Sequence, residues 1–125
     1  MQETAQEFIF RKKEEISKQI KMKDIGRKTN RKYIIESASY LVANNLKEKV
    51  FCFERLVLTD DHYDKEDVGY PVGRKGDIEY RIGYYIVGKN GNKNNKWTWG
   101  QFTPMISKTD LDELLTLAKK EKTYI

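Results

Sequence analysis

Two groups of residues in this sequence have the side chains that binding to a nucleic acid requires. One is a basic segment near the start of the chain, and the other is a segment that carries two tryptophans beside three lysines. Cationic side chains bind phosphates, and aromatic rings two residues apart on a strand can stack on the bases of a single strand. The set is Arg11, Lys12, Lys13, Arg27, Lys28, Arg31, Lys32, Lys89, Lys93, Lys96, Trp97 and Trp99. The combination favours a non-enzymatic module that associates with nucleic acid.

Each of these two groups also has a structural interpretation. Trp97 and Trp99 share one face of a strand because side chains alternate along it, and large aromatics cover cores as readily as they form interfaces. The basic segment could equally be a solvated helix face. Both interpretations stay open at this point.

The positive charge is unevenly distributed along the chain. Residues 1–35 contain ten Lys or Arg and five Asp or Glu, whereas residues 36–125 contain fourteen of each. The whole net charge of +5 therefore lies in the first quarter of the sequence. Such a basic block is typical of contact with phosphates or with an acidic surface, so the expected partner is a nucleic acid or an anionic small molecule.

A second hypothesis is a binding module for a small anionic, nucleotide-like ligand. Tyr85 and Phe102 would then help to line a pocket, and Arg74, Lys75 and Arg81 would neutralise the ligand. A protein partner is the other form of this hypothesis. Homodimerisation through the first helix is compatible with each version, because its apolar stripe is narrow.

A magnesium-dependent nuclease is the least favoured alternative. Its chemistry requires carboxylates that hold the metal and a lysine beside the attacked phosphate. Asp77, Glu79 and Arg81 come nearest, but arginine replaces lysine and the following strand offers no acid. The acidic residues around His62 do not match a calcium loop, and one histidine is too few for the usual zinc sites. No metal and no cofactor are expected.

Composition places the chain among small intracellular domains. A length of 125 residues fits one domain spanning 1–125. Cys52 is the single cysteine, which rules out an internal disulfide and favours a reducing cytoplasm. The longest apolar runs have four residues, far fewer than a membrane span needs.

An α+β fold with an antiparallel sheet must position these side chains. Period-two patterns predict about three strands, at 49–59, 78–89 and 96–106. Helical spacing predicts N-terminal helices over about 3–24 and 33–46 and a C-terminal helix over about 108–120.

Local signals support parts of this scheme. Thr4 with Glu7 resembles a capping box, and Ser107 with Asp110 resembles a second helix start. Residues 33–46 fit a helical period but also carry β-branched and aromatic side chains, and we expect a helix there. The row from Ile78 to Ile86, every second residue apolar, predicts the core side of the hairpin.

Overall fold

The computed structural model describes residues 2–22, 31–62, 73–100 and 104–125, in which two helices flank one antiparallel sheet. The elements are α1 (Ala5–Glu14), β1 (Gln19–Met22), β2 (Arg31–Val42), β3 (Lys49–Leu58), β4 (Ile78–Val87), β5 (Trp97–Trp99) and α2 (Lys108–Lys120). The strands lie in the order β1-β2-β3-β4-β5, each antiparallel to its neighbour. The predicted α+β class is confirmed, and the described residues contribute five strands to the sheet where about three were predicted.

Helix α1 begins at the predicted cap and ends earlier than predicted. The backbone amide of Glu7 donates to Thr4 Oγ1 over 3.2 Å, and the amide of Thr4 donates to Glu7 Oε1 over 3.0 Å. Ser17 then adopts a left-handed φ of 82°, and its amide donates to the carbonyl of Ile35 over 2.7 Å. The backbone therefore leaves the helix to join the sheet, so the prediction of a helix over 3–24 was wrong from Glu15 to Met22, and residues 23–24 lie outside the described residues.

The prediction of a helix over 33–46 was wrong, because this segment forms β2. Its pairing with β3 shifts register between Ile35 and Ser37, which marks a β-bulge. Ile35 and Ala38 therefore lie on the same face although they are three positions apart, and that spacing resembles a helical repeat. The β-branched and aromatic side chains were the more reliable signal here.

The last strand is much shorter than predicted. Strand β5 consists of Trp97–Trp99, paired with Tyr85–Val87 of β4, and residues 101–103 lie outside the described residues. From Pro104 onward the chain is not in a strand. Proline has no backbone N–H to donate to a ladder, which agrees with the end of pairing here.

The two faces of the sheet are covered by different helices. On the α1 face, Ala5 and Phe8 of α1 pack against the sheet. The buried sheet residues of this face are Tyr33, Ile35, Ala38, Tyr40, Val50, Cys52, Leu56, Leu58 and Tyr85. On the α2 face, residues of α2 pack against Phe51, Phe53 and Tyr84. The central, doubly covered strand predicted over 49–59 is therefore confirmed as β3.

Helix α2 coincides with the predicted C-terminal helix. The amide of Asp110 donates to Ser107 Oγ over 3.1 Å, which caps its first turn. Leu114 and Ala118 are completely buried against the sheet. Within the four described ranges, no helix is long and apolar enough to cross a membrane.

The row from Ile78 to Ile86 is only partly a core row. Tyr84 and Ile86 pack in the cluster that includes α2. Ile78, Tyr80 and Ile82 are 38%, 36% and 50% exposed, so the start of β4 presents apolar side chains to solvent on the α2 face. The opposite face of this strand is the more deeply buried one, because it carries Tyr85 and Val87.

Candidate functional site

A fully buried carboxylate lies in the middle of the α1 face. Glu54 is on β3, and the register places it between Ala38 of β2 and Arg81 of β4. Its Oε1 accepts a 2.5 Å hydrogen bond from Arg81 Nε, whereas Oε2 is buried and has no hydrogen-bond partner among the described residues. A buried acceptor without a donor costs about 1–3 kcal/mol. Glu54 Oε2 is thus a position at which a donor from outside the chain would be stabilising.

Two tyrosine hydroxyls on the same face also lack partners within the described part of the chain. Tyr40 and Tyr85 are 6% and 8% exposed. Burial, and then the charge of Glu54, raise the pKa of both phenols above the ordinary value. Both hydroxyls therefore stay protonated at neutral pH and can donate as well as accept.

Arg81 connects this carboxylate to the edge of the sheet. Its guanidinium carbon lies 4.6 Å from the centroid of the Trp99 ring. Burial lowers the pKa of Arg81, but the hydrogen bond and the charge of Glu54 outweigh it, and the net shift is upward. The side chain of Arg81 is 24% exposed while that of Glu54 is fully buried, so solvent reaches the pair from the Arg81 side.

The indole of Trp99 is held against the backbone of β4. A Cβ on Gly83 would lie 2.5 Å from Cη2 of Trp99, so only glycine leaves room for the ring at this position. Trp99 also meets Tyr85 edge to face, with ring centroids 5.0 Å apart and planes at 77°. We call Glu54, Arg81, Tyr40, Tyr85 and Trp99 the Glu54 cluster.

Cys52 lies beside this cluster but is not suited to nucleophilic chemistry. It pairs across the strands with Tyr40 and with Gly83 and is completely buried. Burial, and then the charge of Glu54, raise the pKa of its thiol above the ordinary value. The thiolate, which is the reactive form, is therefore disfavoured.

Both tryptophans that the sequence singled out lie on the α1 face, in the structural role considered for them. The ring of Trp97 stacks on that of Phe8, and its Nε1 donates to the carbonyl of Glu3 over 2.9 Å. Trp97 and Trp99 are both half-buried and pack against the core cluster of this face. They fasten α1 and β5 to the sheet.

The cations of α1 are paired with carboxylates. Arg11 donates twice to Glu3, at 2.9 Å each, and Lys12 lies 2.8 Å from Glu15. Lys13 lies 3.1 Å from a carboxylate oxygen of Glu121, just beyond the end of α2. This part of the basic segment is therefore electrostatically balanced.

The remaining residues of the nucleic-acid set lie in three places. Arg31 pairs with Glu79 at 3.4 Å, and Lys32 beside it is exposed. The tip between β4 and β5 carries Lys89, which pairs with Glu48 at 2.8 Å. It also carries two exposed lysines that make no ion pair with any described residue, Lys93 and Lys96. Arg27 and Lys28 lie outside the described residues.

The residues proposed for a small anionic ligand are only partly brought together. Arg81 and Tyr85 both belong to the Glu54 cluster. Arg74 and Lys75 are exposed in the loop before β4, where their backbone amides donate to Asp77 and Asp61 over 2.9 and 2.8 Å. Phe102 lies outside the described residues.

The nuclease alternative depends on carboxylates that have other contacts here. Glu79 accepts a short hydrogen bond from the Tyr33 hydroxyl and pairs with Arg31. Asp77 accepts from the backbone amide of Arg74. No group of three or more His, Cys, Asp or Glu side chains within the described ranges is placed to hold a metal ion.

Sequence reasoning missed Glu54 and Tyr40. Glu54 could have been found, because it is the single acidic residue in the alternating apolar row of β3, between Cys52 and Leu56. A charge at a core position is costly unless it has a partner, which makes it a candidate for function. Tyr40 was missed because its segment was assigned to a helix.

What the Glu54 cluster binds has to be inferred from its own side chains. In comparisons with known proteins, no family model, no curated protein and no solved structure matched this chain.

Proposed function

We propose that this protein is a binding module for a small, planar, nucleotide-like ligand that lies against the Glu54 cluster. One observation supports the proposal: Oε2 of Glu54 is fully buried and has no hydrogen-bond partner in the part of the chain that the structure describes. Buried polar atoms in folded proteins are almost always paired. An orphaned acceptor beside other polar groups is therefore a mark of a site that is completed by a second molecule.

The charge of the cluster suits a ring that is polar and neutral. Glu54 and Arg81 compensate each other through their direct hydrogen bond. Bringing a bare anion next to Glu54 would add repulsion in a poorly hydrated environment. Any phosphate of the ligand is therefore expected to lie on the exposed side of Arg81, and the ring on the side of Glu54.

The aromatic side chains give the site its shape. Tyr85 contacts Phe8 at a centroid distance of 4.9 Å and Trp99 at 5.0 Å. Lys12 Nζ lies 5.2 Å from the centroid of the Tyr85 ring. Flat apolar walls with a few converging polar atoms are typical of small-molecule sites, and they favour planar ligands.

Calorimetry with nucleosides and nucleoside monophosphates tests this proposal. We expect one-site binding to the wild-type protein and an affinity lower by about twofold to tenfold in Tyr40→Phe and in Tyr85→Phe, because each substitution removes one hydrogen bond. Tyr84→Phe is the matched control, since Tyr84 immediately precedes Tyr85 in β4 but lies on the α2 face. A flat response to every compound, or equal losses in Tyr84→Phe and Tyr85→Phe, would refute the proposal.

Contact with nucleic acid is the second candidate, and the tip of the hairpin favours it. Lys93 and Lys96 are exposed and make no ion pair with any described residue, so they can approach phosphates. Lys89 adds a third cation at the same tip, although it is shared with Glu48. This candidate no longer depends on the tryptophans, which are half-buried against the core.

Charge reversal at the tip tests the second candidate. We expect Lys93→Glu with Lys96→Glu to weaken oligonucleotide binding at low salt and to reduce the slope of log K against log salt by about 2. Lys119→Glu with Lys120→Glu, in the last turn of α2, changes the net charge equally and is the control. Equal losses in both double variants would show attraction to net charge and no tip site.

A further inference from the structure

Resting on the proposed function, we infer that the ligand of the Glu54 cluster carries an exocyclic amino group and donates one of its N–H bonds to Oε2 of Glu54. An ionised carboxylate has no proton to donate, so it can only accept hydrogen bonds. Arg81 Nε already donates to Oε1 of Glu54, so Oε2 is the acceptor left for a ligand. The missing partner of Oε2 must therefore be a donor.

Neither cross-strand neighbour of Glu54 supplies the donor that Oε2 lacks. Ala38, its cross-strand neighbour on β2, has no side-chain donor, and Arg81, its neighbour on β4, already meets Oε1. Both neighbours are fixed in a sheet, so neither can be replaced by another side chain without a change of register. A ligand that turned a carbonyl oxygen toward Oε2 would bring two acceptors together.

Two tyrosines on the same face of the sheet add polar groups close enough to feel the charge of Glu54. The Tyr40 and Tyr85 hydroxyls make no hydrogen bond with any described residue and can each donate to the ligand. A ring with an amino group next to a ring nitrogen or carbonyl oxygen satisfies both kinds of partner. This is the arrangement in aminopurines and aminopyrimidines. Where a carbonyl replaces the amino group the order is inverted, because the exocyclic oxygen accepts and the adjacent ring nitrogen carries the proton.

Two matched pairs of nucleosides test the inference on the wild-type protein. Adenosine and inosine differ in an amino or a carbonyl group at one ring position, and so do cytidine and uridine. In whichever pair binds, we expect the amino member to bind at least about tenfold more tightly, because the other member in the same pose places an oxygen acceptor where Oε2 needs a donor. Equal affinity, or tighter binding of the carbonyl member, would overturn the inference and leave the proposed function standing.

The variant Glu54→Gln adds a second measurement. A glutamine amide both donates and accepts, so the preference for the amino member should fall to less than about threefold. Tyr84→Phe should keep the wild-type preference, since its ring lies on the α2 face. If the preference survives in Glu54→Gln, or if a crystal of the complex shows a water and no ligand nitrogen at Oε2, the inference is wrong. If none of the four nucleosides or their monophosphates binds, both the inference and the proposed function fail.

Discussion

The indole ring of Trp97 stacks on the ring of Phe8, with centroids 4.7 Å apart and planes inclined by 14°. The same indole donates to the carbonyl of Glu3 over 2.9 Å, so one side chain of the short strand β5 fixes both the start and the middle of α1. The N-terminal segment and the hairpin of β4 and β5 are therefore joined in one layer. The aromatic layer also forms one wall of the Glu54 cluster, through Tyr85.

We predict that Trp97 is shielded from water in the absence of any ligand. In the single-tryptophan variant Trp99→Phe, its emission should lie well to the blue of free tryptophan and should be quenched only weakly by acrylamide, because Phe8 covers one ring face. Fluorescence spectra with and without oligonucleotide measure this. Emission at the wavelength of free tryptophan, quenched strongly by oligonucleotide, would instead support the stacking platform that the sequence suggested.

Gly83→Ala should destabilise the protein by about 1–3 kcal/mol, as is usual when a methyl group is forced into a packed site. The added Cβ would lie 2.5 Å from the Trp99 ring, which would have to move away from β4. Urea unfolding of wild type and variant gives the difference in free energy. Ligand affinity should fall as well, because Trp99 and Arg81 are in contact.

A double-mutant cycle identifies the cause of that destabilisation. In a Trp99→Leu background the clash is relieved, so Gly83→Ala should have a much smaller effect on the free energy of unfolding. If the effect of Gly83→Ala is the same in both backgrounds, the backbone of β4 and not the indole is responsible, and the close packing argument fails.

The sequence was informative wherever a periodic pattern and a terminal signal agreed. Both helix starts, at Thr4 and Ser107, followed from short side chains that cap the backbone, and β3 followed from an alternating run. The apolar spacing was misleading in β2, where the alternation of side chains is interrupted. The bulge between Ile35 and Ser37 shifts which residues face the core, and no residue type in the sequence predicts the bulge.

The candidate site was predictable in part, because its members come from different strands. Arg81, Tyr85 and Trp99 were named as candidate residues from their types alone. Their grouping with Glu54 depends on the register between β3 and β4, which is set by long-range pairing and cannot be read from local sequence. The tip lysines needed no such information, since a turn sequence is exposed in any register.

The hydroxyl of Thr123 anchors the end of the chain to β2, and removing it should be costly. Thr123 is completely buried, and its Oγ1 lies 2.8 Å from the hydroxyl oxygens of both Ser37 and Ser39. Thr123→Val keeps the shape but leaves two serine hydroxyls unpaired, so we expect a loss of about 1–3 kcal/mol in urea unfolding. Thr123→Ser should recover most of it. Thr116→Val, at an exposed position of α2, is the control and should change stability by less than about 0.5 kcal/mol.

The stability of the fold should decrease above about pH 10, where tyrosines of the unfolded chain lose their protons. Burial and the charge of Glu54 raise the pKa of Tyr40 and Tyr85 in the folded protein, so folding keeps these two phenols protonated. Above the unfolded pKa the unfolded chain binds fewer protons than the native one. The stabilisation is therefore complete below about pH 10 and is lost as the pH rises further, by up to about 1.4 kcal/mol per pH unit for each phenol.

Phenolate absorbance and urea unfolding between about pH 9 and 11 measure this behaviour. The phenols of Tyr40 and Tyr85 should resist titration until the protein unfolds. The double variant Tyr40→Phe with Tyr85→Phe lacks both phenols, so its free energy of unfolding should fall less steeply with pH than that of the wild type. If the two slopes coincide, or if Tyr40 and Tyr85 titrate in the folded protein, these phenols are open to water and the environment assigned to the Glu54 cluster is wrong.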